Sequence, residues 1–116
     1  MLDVFREVLP DGYLLILSPE IANPHGEVKL SRALHRATRS EKQAVMIDCS
    51  LVERLSDEAV ELLLAYSFIL RAQGRRLVLS HVPNPVRYHF LDLDPASQPL
   101  LVSSLLEAVD EIKLSY

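Results

Sequence analysis

Hydrophobic and polar positions along the chain divide it into short apolar runs and amphipathic stretches separated by proline and glycine. The first stretch, "LDVFREVL", alternates as a strand does. After the turn "PDG", "YLLILS" is a continuous apolar run of the kind buried on both faces of a sheet, so the two predict a hairpin. Beyond Pro24 and Gly26, Leu30, Ala33, Leu34 and Ala37 recur at helical spacing, opposite Lys29, Arg32, Arg36 and Arg39, and predict a first helix. "AVMID" is a second fully apolar strand ending on a carboxylate. A polar bend leads to "DEAVELLLAYSFILRAQ", a second helix that Gly74 terminates. "RLVLSHV" predicts the next strand. Asn84 as cap and Pro85 as first helical residue predict a short helix with Val86, Phe90 and Leu93 on one face. "QPLLVS" is a last short strand. Ser104 and Glu107 form a capping box for a closing helix whose inner stripe is Leu105, Ala108, Val109 and Ile112.

The resulting order, β-β-α-β-α-β-α-β-α, predicts an α/β fold: a mixed, mainly parallel sheet with an antiparallel N-terminal hairpin and about four α-helices. At 116 residues the chain suits one domain, spanning 1–116, with a single core. Its 49% hydrophobic and 24% charged residues are those of an ordinary globular protein, not of a disordered one.

Charge narrows the functions. A net charge of -4, with Lys and Arg scattered rather than striped, excludes nucleic acid as the main partner. The first residues, "MLDVFREVLPDG", lack the basic start and apolar stretch of a signal peptide. No apolar run approaches a membrane span, so direct membrane insertion is not expected and any membrane association comes through a partner. Cys49, the single cysteine, rules out a disulfide framework and a thiolate cluster, and fits a reducing cytoplasm.

No catalytic, cofactor or metal site emerges from the residues. His25, His35, His81 and His89 show no ligand spacing, and three glycines cannot build a phosphate loop or a dinucleotide fingerprint. Cys49 is expected as a small buried hydrophobe. Asp48, at the end of a central strand, is where a receiver-type phosphoacceptor would stand. Such a receiver needs a second acidic cluster after the first parallel strand, where this chain has "LLILSPE".

The informative segment is "LSDEAVELL". Ser56 is well placed as an N-cap, and Asp57 and Glu58 complement the positive end of the helix dipole. From Ala59 to Ala72 only Glu61 and Arg71 are charged, so the apolar surface is wider than one core stripe requires. Ala59, Leu62, Leu63, Tyr66 and Leu70 can face the sheet. Val60, Leu64 and Phe68 then lie on the flank, either packed on a neighbouring helix or exposed to a partner.

Three stretches, "GYLLILSPEI", "VMIDCSLVERLSDEAVELLL" and "GRRLVLSHVPNPVRYHFLDLD", together with the order of elements, resemble the STAS domain. This is the fold of bacterial anti-sigma-factor antagonists, used also in stress-signalling and lipid-transport complexes and at the tails of anion transporters. In antagonists the central stretch carries Asp-Ser-Ser-Gly at a helix start, and phosphorylation of the second serine by a partner kinase breaks the complex with the anti-sigma factor. Laid on this chain, the aspartate falls on Ser56, the first serine on Asp57, the phosphorylated serine on Glu58 and the glycine on Ala59. The accepting hydroxyl is replaced by a fixed charge.

The resemblance therefore implies a non-enzymatic, cytoplasmic, protein-binding regulator with a degenerate phosphorylation switch at Ser56, Asp57 and Glu58. Its partner surface would comprise these three residues with Val60, Glu61, Leu64 and Phe68. The implied partner is an anti-sigma factor or related kinase-like regulator; the alternative is the ATPase subunit of a membrane ABC lipid transporter. Ser56 either has taken over as acceptor or is only a cap on an unswitched docking module, and its complete explanation as a cap favours the second.

Overall fold

A computed structural model describes residues 4–10, 12–17 and 24–104, with backbone alone for 24–26. The elements are β1 (Val4–Val8), β2 (Gly12–Leu17), α1 (Pro24–Arg39), β3 (Ala44–Asp48), α2 (Asp57–Ala72), β4 (Arg76–Ser80), α3 (Asn84–Leu91) and β5 (Leu100–Val102), with one 3-10 turn at Pro95–Ser97. The strands lie in sequential order; β1 and β2 are antiparallel and every later pair is parallel. The predicted mixed sheet with its opening hairpin is the one observed.

Sequential order with crossovers of one hand brings successive helices to the same face of a sheet. That face carries the main core. Leu15 and Leu17 of β2, Val45 and Ile47 of β3 and Leu77 and Leu79 of β4 pack with Leu30 and Leu34 of α1, Ala59, Leu63 and Leu70 of α2, and Val86 and Phe90 of α3. Leu14, Ala44, Met46 and Val78 form a second buried cluster on the opposite face. β3 is buried at all five positions, which is why its first four are continuously apolar rather than alternating. β1 is the exposed edge beside β2.

α2 ends as its sequence predicts. Gly74 adopts φ 71°, its N–H donates to the Arg71 carbonyl, and the Arg75 N–H reaches back to Leu70. This glycine-terminated cap satisfies carbonyls that the last turn would otherwise leave open. Arg75 then ties the turn to the end of α1: its guanidinium donates to the carbonyls of Lys42 and Thr38, both at 2.7 Å.

Three details depart from expectation. Asn84 is not the cap of α3. Pro83 holds that position in an extended conformation and its carbonyl accepts the Arg87 N–H at 2.9 Å, so Asn84 and Pro85 become the first helical residues and no side chain caps the helix. Leu93 lies beyond the end of α3, though it still packs against the core. The last strand is shorter than "QPLLVS", because the 3-10 turn precedes it and Pro99 has no N–H to give a ladder. Three α-helices are present among the described residues; the closing helix predicted after Ser104, with Leu105, Glu107, Ala108, Val109 and Ile112, lies outside them.

No atom lies within 4 Å of where a Cβ on Gly74 would stand, so substitution there meets backbone strain and no clash. Gly74→Ala is expected to lower stability by about 1 kcal/mol. Urea unfolding should show a lower midpoint with an unchanged slope.

Candidate partner-docking site

The route from β3 to α2 is fixed by buried groups on both sides of an exposed bend. Asp48 is buried, and each of its oxygens accepts a hydroxyl: Ser50 donates to Oδ2 at 2.6 Å and Ser80 to Oδ1 at 2.9 Å. A carboxylate held in this way pins the ends of β3 and β4 together. Among the described residues no group of His, Cys, Asp and Glu is arranged to hold a metal ion. Cys49 is fully buried, as its reading as a small hydrophobe expects. Burial, and secondarily the charge of Asp48, pushes its thiol up to about 12, so it remains protonated and is no nucleophile.

Val52 and Leu55 are buried and anchor the bend, while Leu51, Glu53 and Arg54 face solvent. Ser56 follows in extended conformation (φ −68°, ψ 161°) and caps α2 as predicted, its Oγ accepting the Ala59 N–H at 3.1 Å. The sequence alone did not reveal the second half of this arrangement. The Ser56 hydroxyl donates its proton to Oε1 of Glu27, in the first turn of α1, at 2.6 Å. Glu27 is 29 positions away, and its only local signal is that of an acidic residue at a helix start.

Asp57 and Glu58 occupy the exposed first turn of α2, and Glu61 is exposed one turn on. None of the three carboxylates makes a hydrogen bond or ion pair with another described residue. At helical spacing, Asp57, Glu61, Leu64 and Phe68 form one stripe along α2. Leu64 is half-buried and Phe68 is 61% exposed.

Val60 does not belong to this exposed stripe. It is buried in the main core, so the flank it occupies resolves to packing and not to a free surface. Leu62 and Tyr66, expected against the sheet, are only half-buried, and Ser67 is buried among the inward residues instead. Of the residues expected at the surface, Asp57, Glu61, Leu64 and Phe68 share this stripe, Ser56 and Glu58 lie at the helix start beside it, and Val60 is buried beneath.

The bond to Glu27 makes this serine a poor place for added negative charge. Ser56→Ala, which loses the cap, is expected to cost about 1 kcal/mol. Ser56→Asp keeps a good capping residue but sets two carboxylates together; it should be destabilising in the native background and largely harmless in Glu27→Gln. Denaturant unfolding of the four proteins in this cycle measures the coupling, and additive effects would contradict the contact.

A family model described as "Mlab, STAS domain" matches residues 23–102, from the start of α1 through β5. No curated protein matches the chain by sequence. Among solved structures, the anti-sigma factor antagonist SpoIIAA in its unphosphorylated form aligns with a TM-score of 0.77 at 16% identity, covering 97% of this chain and 98% of its own. RsbS of Moorella thermoacetica carrying a serine-to-glutamate substitution aligns at 0.78 and 17%, covering 97% and 96%. A chain of the stressosome, described as a signal integration and transduction hub, aligns at 0.71 and 17%, covering 95% and 96%. At these identities the structures speak for the fold. The family model, which spans more than half of the sequence, carries the assignment: the chain belongs to the STAS domain family.

Proposed function

We propose that this STAS domain is a non-enzymatic regulatory docking module of the bacterial cytoplasm, similar to the anti-sigma-factor antagonists, whose contact surface at the start of α2 is permanently charged. The observation that carries this reading is the division of labour at that helix start. The Ser56 hydroxyl is engaged both as acceptor and as donor, while Asp57, Glu58 and Glu61 stand in solvent. The helix dipole accounts for carboxylates in the first turn. It does not account for Glu61, which sits at i+4 from Asp57 and i+3 from Glu58, where like charges cost a few tenths of a kcal/mol each. A surface retained against that repulsion is suited to a positively charged partner.

The charge at this surface is constant. A phosphoserine switches about two charges on and off, whereas Glu58 holds about one and cannot be switched. The partner on this reading is an anti-sigma factor or related kinase-like regulator. A second reading keeps the surface and changes the partner to the ATPase subunit of a membrane ABC lipid transporter. One observation favours it, that the matching family model is described for Mlab rather than for an antagonist, and a fixed subunit needs no switch.

The tagged protein, purified from its own host, should bring down a kinase-like anti-sigma factor. Glu58→Lys reverses a charge on an exposed turn and is expected to weaken that complex at least about tenfold in calorimetry, equivalent to about 1.4 kcal/mol, without altering the circular dichroism spectrum. Equal binding by the variant would sink the proposal, and recovery of transporter subunits would move the assignment to the second reading.

A further inference from the structure

Beside the acidic start of α2, a groove of about 490 Å³ runs between α2 and α3, lined by Leu55, Asp57, Val60, Glu61, Pro85, Val86 and His89. Its composition is layered. Leu55, Val60 and Val86 are each less than a tenth exposed and make an apolar floor continuous with the core. Asp57 and Glu61, one turn apart, form the lip on the α2 side, and Pro85 and His89 form the opposite wall. The geometry points to this groove as the seat of a short partner segment that presents an arginine or lysine next to an aliphatic side chain. This inference rests on the docking reading above and specifies the chemistry that the partner brings.

Charge complementarity selects that occupant. Two carboxylates spaced one helical turn apart and unpaired among the described residues offer a cation charge-assisted hydrogen bonds, and a guanidinium can address both. The floor supplies what the charges cannot. An aliphatic side chain removed from water against Leu55, Val60 and Val86 contributes roughly 1.5–3 kcal/mol when fully buried. The volume lies within the range of roughly 300–1,000 Å³ usual for ligand clefts, enough to anchor a few side chains. An acidic segment would meet the lip carboxylates and be rejected, so the same groove discriminates as well as binds.

The test is a titration of the ¹⁵N-labelled full chain with acetyl-Leu-Arg-Leu-amide and with its counterpart acetyl-Leu-Glu-Leu-amide, each to about 5 mM, which mostly fills a millimolar site. The arginine peptide is expected to shift the amides of Val60, Glu61, Val86 and His89, and the glutamate peptide to leave them in place. Glu61→Lys, a change on an exposed position that leaves one carboxylate beside one ammonium, should abolish the preference. No shift at these amides, or equal shifts with both peptides, overturns the inference. So do peptide-independent shifts that grow with protein concentration, which would make a second copy the occupant. With the partner captured from the host, loss of binding in Glu58→Lys but none in Glu61→Lys would leave the docking reading standing and remove the groove from it.

Discussion

The Ser56 hydroxyl has one proton, and the arrangement of the acidic end of the molecule depends on where that proton goes. It is given to Glu27, while the oxygen accepts the Ala59 N–H, so one side chain caps α2 and joins it to the first turn of α1. Breaking this bond would leave the Glu27 carboxylate without its neutral donor and untie α2 from α1, while the Ser56 oxygen could still cap α2. Phosphate on Ser56 would remove the donated proton and set a second anion against the Glu27 carboxylate. The carboxylates that the bond does not use, Asp57, Glu58 and Glu61, stand exposed.

Behind the helix start, the sheet supplies a rigid support. Asp48 is a buried carboxylate whose two oxygens are taken by Ser50 and Ser80, so a group that could have been reactive instead holds the ends of β3 and β4 in register. Cys49 packs in the core as a neutral thiol. Val52 and Leu55 fasten the bend between strand and helix. The acidic turn thus stands on elements whose polar groups are satisfied internally. On the proposed docking reading, a surface built in this way lowers the ordering cost of binding.

Much of this was legible in the sequence because it depends on local periodicity. The continuous run "AVMID" reports a strand buried on both faces, the spacing of Leu30, Leu34 and Ala37 reports the inner face of α1, and Gly74 marks the end of α2; each has one physical cause that acts over a few residues. What depends on distant partners was not legible. Glu27 meets Ser56 only after β3 has been laid beside β2. Val60 is buried as part of the main core at the floor of the groove between α2 and α3, while Phe68, equally apolar and two turns further along α2, is exposed. At α3 the expected start at Asn84 and Pro85 is displaced by one residue; the carbonyl of Pro83 takes the first helical hydrogen bond, so Asn84 lies inside the helix.

The central claim is that the helix start carries a fixed charge and that Ser56 is a cap and not a switch. It is tested most directly by mass spectrometry of the protein purified from its host in free and partner-bound form, reading phosphate occupancy at Ser56. The account predicts an unmodified Ser56 in both pools. Phosphate on Ser56 that is abundant in the free protein and absent from the complex would contradict it, and would show that the switch has been displaced rather than lost.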